Sequence, residues 1–251
     1  MKMAALVSRA IFSYYPGTQP KGFFVKFLLF FVSALFTASV FAQNIDHDQD
    51  PTMPPADFVA RPFVESDLIT QSWMKEFTNV IVINKSNSGK DKQTLRIYEN
   101  GKLKVMTRIS SGRENFEKGC APGQQPKKDH CSNRAYWSQT PTGYFDIDDI
   151  VENYFSNLWQ TWMPYTVFFE SGIATHQAPG GTEGNLGSRA SGGCVRMHPS
   201  MAPVLFAMVK NAGKGLVPKF GRNGEILKTA QGDVIRWQGF KSLVIVHNTI
   251  N

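Results

Sequence analysis

Cysteine is scarce in this 251-residue chain: Cys120, Cys131 and Cys194 are the only three. No C-x-x-C pair joins them, which speaks against a structural zinc site. No stripe of Lys and Arg interleaved with aromatics runs through the sequence, so the nucleic-acid-binding class is set aside. Internal repeats and low-complexity segments are absent as well. Acidic residues are missing from positions 1–42, which carry Lys2, Arg9, Lys21 and Lys26. The one long apolar run, Phe27–Phe41, is shorter than the ~20 residues of a membrane-spanning helix.

A basic start, a short apolar run and the small-residue site Val40-Phe41-Ala42 describe a secretory signal peptide over 1–42. If it is not cleaved, it is an N-terminal anchor and the chain's only membrane contact. Removing it takes Lys+Arg from 27 to 23 against 20 Asp+Glu, so the net charge falls from +7 to +3. The apparent basicity is largely a property of the leader. Residues 43–72, polar with Pro51, Pro54 and Pro55, read as a linker. The remainder, 73–251, has room for one domain.

That domain carries β signals. Val80–Asn84 is a β-branched run fit for a core strand. Thr94–Tyr98 and Leu103–Ile109 alternate and meet at Asn100-Gly101, a pair suited to the positive φ values of a hairpin turn. Residues 112–136 form a polar loop. Thr140-Pro141-Thr142-Gly143 is a turn feeding a strand, and Asp148–Leu158 reads as a short helix. Thr166–Glu170 and Gly172–His176 read as strands, followed by a glycine-rich loop to Ala190. Ser200 is placed to cap a helix with Met201, Val204, Leu205, Met208 and Val209 on its apolar stripe, ending near Gly213. A second Asn-Gly turn falls at Asn223-Gly224, and Ser242–His247 is the final strand.

An exported protein meets an oxidising compartment. Cys120 and Cys131, both inside the polar loop, are expected to pair and to leave Cys194 as the odd thiol. A rival metal site from Cys120, His130 and Cys131 lacks a fourth ligand. The loop is expected to border the active cleft as a lid.

Cys194 follows Ser191-Gly192-Gly193. A core cysteine is the ordinary alternative, but glycines on a polar approach suit a thiol on an exposed turn. There the N–H groups of Gly193 and Cys194 can meet a developing oxyanion. His176, ending a strand one loop earlier, is the candidate proton acceptor and donor. His198, just beyond the cysteine, reads as a surface or capping residue. Arg196 is either the partner of a core acid or a fork for a substrate carboxylate. Ser191 orients the turn or donates a hydrogen bond, and Gly192 lies beside it at the substrate.

These residues resemble the L,D-transpeptidases, with their YkuD-type catalytic domain. The resemblance is carried by His176, the loop to Ala190, then Ser191-Gly192-Gly193-Cys194-Val195-Arg196. It extends to the hairpin Leu95–Gly112, to Thr140-Pro141-Thr142-Gly143-Tyr144-Phe145, and to Met163-Pro164-Tyr165 with Gly172–His176. It covers roughly 76–212. Two departures stand out: Gln177 occupies a position where many members have glycine, and Gly192 one where some have histidine.

The resemblance implies a mainly β fold, a β-sandwich of mixed sheets with a short helix after the cysteine. It implies a periplasmic or cell-envelope enzyme of peptidoglycan biosynthesis. Cys194 would be the nucleophile and His176 the proton donor and acceptor, with a thioester formed on a tetrapeptide stem. The acyl group would pass to an amine: another stem's side chain, a D-amino acid or a lipoprotein lysine. No metal or organic cofactor is implied. The alternatives are a hydrolytic L,D-carboxypeptidase, an amidase releasing wall-linked lipoprotein, and a non-catalytic cell-wall-binding module.

Overall fold

Burial on both faces explains the centre of the fold. In the computed structural model, which describes residues 63–249, the run Val80–Ile83 lies within β1 (Asn79–Asn84), buried at every position. Ile81 and Ile83 enter one apolar cluster, Val80 and Val82 another. A strand covered on both faces needs no polar alternation, which is why its sequence reads as continuous. The expected signal segment 1–42 and most of the linker lie outside the described residues. Inside the stretch read as linker, α1 (Asp67–Thr70) is already helical, and a 3₁₀ turn covers Ser72–Glu76. Leu68, Trp73 and Met74 are buried in the second cluster, so folded structure begins before Trp73.

The hairpin forms as expected. β2 (Thr94–Glu99) and β3 (Lys102–Ser110) pair antiparallel across Asn100 (φ 49°) and Gly101 (φ 74°). Two short strands, β4 (Phe116–Glu117) and β5 (Tyr136–Trp137), close the base of the loop insertion, and α2 (Pro126–Asp129) gives it one helical turn. β6 (Gly143–Asp146) follows the Thr-Pro turn.

The helix expected over Asp148–Leu158 is instead β7 (Asp149–Ser156), paired antiparallel with β8 (Thr161–Glu170). Its sequence holds the β-branched pair Ile150-Val151 and two aromatics. The ten-residue partner strand offers a ladder that local propensity does not announce. β9 (Ile173–Gln177) and β10 (Val195–Met197) are parallel neighbours. α3 (Ala202–Ala212) then packs Leu205, Phe206 and Val209 onto the core. Two details differ from expectation. Met201 occupies the cap position, because Ser200 Oγ is engaged with His198 Nδ1 at 2.7 Å. Val204 faces outward and Phe206 takes its place on the buried face. β11 (Lys214–Pro218) and β12 (Arg236–Phe240) form a separate ribbon, and β13 (Ser242–His247) returns beside β1 in parallel.

One nine-stranded mixed sheet results, in the order β6-β13-β1-β2-β3-β10-β9-β8-β7. Its two halves curl face to face: Phe145 of β6 meets Phe169 of β8 with ring centroids 5.5 Å apart. The mainly β expectation is met, the sandwich being one curled sheet closed by α3. Among the described residues no helix is long and apolar enough to cross a membrane.

Candidate active site

Two parallel strands bring the motif together. β9 and β10 run in register with His176 opposite Arg196 and Thr175 opposite Val195. Aligned residues of parallel neighbours share a face, and Cys194 sits on the turn immediately before β10. His176, Cys194 and Arg196 accordingly line one cavity of about 660 Å³. Gly192, Trp159 and Arg113 line it as well.

The Cys194 thiol, half-buried and outside any disulfide, donates to the Gly172 carbonyl at 3.7 Å. His176 is 4% exposed. Its Nδ1–H donates to the Gln177 carbonyl at 2.7 Å, an arrangement that leaves Nε2 as the ring's proton acceptor. Burial, and then the Arg196 guanidinium beside it, push the His176 pKa down to about 3, against the pull of the Gln177 carbonyl. The imidazole is therefore neutral at neutral pH, as a base must be before it takes a proton.

This depression links to stability. Between pH 6.5 and 3 the unfolded chain binds a proton at His176 that the folded chain refuses, so stability is full above pH 6.5 and falls as pH drops. His176→Gln is expected to flatten this acid limb by about 2–3 kcal/mol at pH 4.5 relative to pH 7.5, read from urea unfolding at the two pH values. An unchanged pH dependence would contradict it. His247, held at about 4 by burial and then by Arg96, acts in the same window and remains in the variant.

The cysteine turn is held from several directions. Ser191 Oγ donates to the Cys194 carbonyl and accepts the Gly193 N–H at 3.1 Å. Gly193, with φ +119°, needs to be glycine. Its carbonyl accepts from Thr140 Oγ1 at 2.5 Å, and Thr140 Oγ1 accepts the Gly112 N–H at 2.9 Å. Behind Thr140 sits the buried Lys85, donating to the Thr140 carbonyl at 2.6 Å and pairing with Glu114 at 3.1 Å. The Gly193 N–H read from the sequence as an oxyanion donor is thus engaged with Ser191 in this conformation.

Gly192 is glycine for a steric reason. A Cβ there would lie 2.6 Å from the Tyr136 hydroxyl and 2.8 Å from the Trp159 ring. Tyr136 meets Trp159 edge-on, and the Arg113 guanidinium lies over Trp159, 5.8 Å from its centroid. Arg196 meets no carboxylate among the described residues, which removes the core-acid reading. It donates to the Ala190 carbonyl at 3.3 Å. Burial and then Arg113 lower its pKa, against the opposing effects of Cys194 and Tyr136.

Cys120 and Cys131 form a disulfide, which consumes the thiols of the rival metal site. The loop it closes contributes Pro126, Lys127 and His130 to the cavity lining. His198 is exposed and bonded to Ser200. Sequence reasoning missed Lys85, Arg113, Tyr136 and Trp159. Each reaches the site across a long chain separation that no local spacing marks.

Residues 78–236 match the family model of the YkuD L,D-transpeptidase catalytic domain. The chain belongs to that family. The chain is also similar, at low identity, to solved structures of L,D-transpeptidases. The protein from Xylanimonas cellulosilytica is 20% identical over 68% of this chain and 61% of its own, with a TM-score of 0.42. That from Stackebrandtia nassauensis is 17% identical over 74% and 65%, at 0.40. That from Mycobacterium smegmatis is 14% identical over 68% and 59%, at 0.40. The chain spans less than two thirds of the length of each. No curated protein sequence gives a significant match.

Proposed function

We propose that this L,D-transpeptidase-family protein is a cysteine acyltransferase of peptidoglycan stem peptides. It would work in the cell envelope after export on residues 1–42, with a linker from residue 43 and a catalytic domain whose folded part begins before Trp73. The observation that carries the reading is the convergence of Cys194, His176 and Arg196 on one cavity from adjoining strands. The Cys120–Cys131 disulfide supports an oxidising compartment.

In the first half-reaction His176 Nε2 takes the Sγ proton as sulfur bonds to the carbonyl carbon on the C-terminal side of the third stem residue. The Arg196 cation favours the thiolate and opposes the imidazolium, so proton transfer accompanies attack. The oxyanion is met by the Cys194 N–H, joined by the Gly193 N–H once it exchanges Ser191 Oγ for substrate oxygen. The C–N bond breaks, the leaving amine takes the proton from His176, and a thioester remains. An acceptor amine then attacks, gives a proton to His176, and expels Cys194, which recovers that proton.

The test is incubation of the purified protein with tetrapeptide muropeptides and a labelled D-amino acid, with products read by mass spectrometry. Expected is replacement of terminal D-alanine by the label, or a stem-to-stem crosslink. Loss of D-alanine with water as the only acceptor would favour the carboxypeptidase, and no change at all would contradict acyl transfer.

A further inference from the structure

The cavity is one-sided in charge. Arg113, Lys127 and Arg196 line it, and among the described residues no acidic side chain does. Two of these cations converge on a single atom. Arg113 Nη1 and Arg196 Nη1 donate to the Ala190 carbonyl at 3.0 and 3.3 Å. One neutral carbonyl does not compensate two guanidiniums. Glu117 takes the Nε edge of Arg113 at 2.7 Å, but Arg196 is without a carboxylate among the described residues. A largely buried cation left in that state is costly unless a ligand supplies the counter-charge. Arg113 Nη2 and Arg196 Nε and Nη2 have no protein acceptor among the described residues. The Tyr136 hydroxyl beside them is also buried without a partner. Arg113 is held in place by Glu117, by Ala190 and by the face of Trp159.

The spacing tells which carboxylate fits. Cys194 sits on the turn that leads into β10, two residues before Arg196, and two residues of extended chain span about 6–7 Å at most. A thiol attacks a carbonyl carbon from about 3–3.5 Å. The α-carboxylate of the amino acid being released lies three bonds beyond that carbon, about 3–4 Å further. A carboxylate farther out on the third residue's side chain overshoots the pair.

We propose that Arg113 and Arg196 form a binding site for the α-carboxylate next to the amine that is exchanged at the thioester, and that Arg113 determines which amines are accepted. The inference rests on the acyl-transfer reading above. The second half-reaction retraces the first, so the incoming amine occupies the place the leaving amine vacated. Its adjacent carboxylate then falls between the same two guanidiniums. Acceptors with an amine and a carboxylate on one carbon are favoured, whether a free D-amino acid or the far centre of a diamino-diacid side chain. A lysine side-chain amine has no such carboxylate and is disfavoured.

The experiment uses the purified full chain with stems ending in D-alanine or in D-alaninamide, and with a labelled D-amino acid or its amide as acceptor. The wild-type protein should favour the free acid by about 10- to 100-fold on each side, the worth of hydrogen bonds to a charged group. In Arg113→Gln that ratio should fall to within about twofold, and in Arg113→Lys it should be intermediate, since charge survives without the planar fork. Each ratio is taken within one variant, so partial unfolding cancels. Equal use of acid and amide by the wild type overturns the proposal, as does an undiminished ratio in Arg113→Gln. Formation of the Cys194 adduct is followed separately by intact mass. An adduct without acid preference sinks the carboxylate site alone, whereas no adduct with any donor sinks the acyl-transfer reading and this inference together.

Discussion

Cys194→Ala is expected to lower release of D-alanine from tetrapeptide stems by more than about 10⁴-fold, the scale on which losing a nucleophile removes catalysis. The fold should survive the change. Cys194 is half-buried, and its thiol makes a long, weak contact with the Gly172 carbonyl. The turn around it is held by Ser191, Thr140 and the β10 ladder, all of which alanine leaves in place. Stability should therefore change by less than about 1 kcal/mol in urea unfolding. A structural cysteine would give the reverse pattern, with stability lost and activity retained. Substitution with serine should be nearly as damaging as alanine, because an imidazole next to an arginine is too weak a base to deprotonate a hydroxyl, which is far less acidic than a thiol.

The second large effect is expected far from the thiol in sequence. Gly112→Ala would put a Cβ 2.1 Å from the Ser138 carbonyl oxygen and 3.0 Å from the Thr140 backbone nitrogen. Both are main-chain atoms, so no rotamer change relieves the overlap. The strand connection must move, and it carries the Thr140 hydroxyl that holds the Gly193 carbonyl. The loss should reach about 3 kcal/mol or more, the range of overpacking combined with a broken buried network. Activity should fall further than the folded fraction does, because the cysteine turn loses its brace. Gly184→Ala is the matched control, with nothing within 4 Å of the added methyl and no positive φ. A Gly112 variant as stable and active as that control would disprove the brace.

These two positions show how legible the molecule was. Cys194 stands in a local pattern that names its own chemistry, and the His176 strand, the Asn100-Gly101 hairpin and β1 are equally local. Each depends on residues within a few positions of one another. Gly112 gave no such signal, because its need for hydrogen at Cα comes from Ser138 and Thr140, a loop insertion away. Lys85 is similar: a lysine after a strand reads as solvated, yet it is buried under Glu114 and Thr140. Arg113 and Arg196 meet at Ala190 through a sheet register that no spacing reveals. β7 reads as helix locally because its partner, β8, supplies the pairing that its own sequence only permits. Ser200 offered good cap chemistry and lost it to His198, a competition between side chains that only the fold decides.

The most direct test of the central claim is intact-mass analysis of the protein mixed with a tetrapeptide stem and quenched in acid within its first turnovers. A mass gain equal to the stem minus D-alanine, mapped by proteolysis to the peptide holding Cys194, absent in Cys194→Ala and discharged by added amine, is the expected result. Steady release of D-alanine with no adduct on Cys194, or with the adduct on another residue, would contradict it.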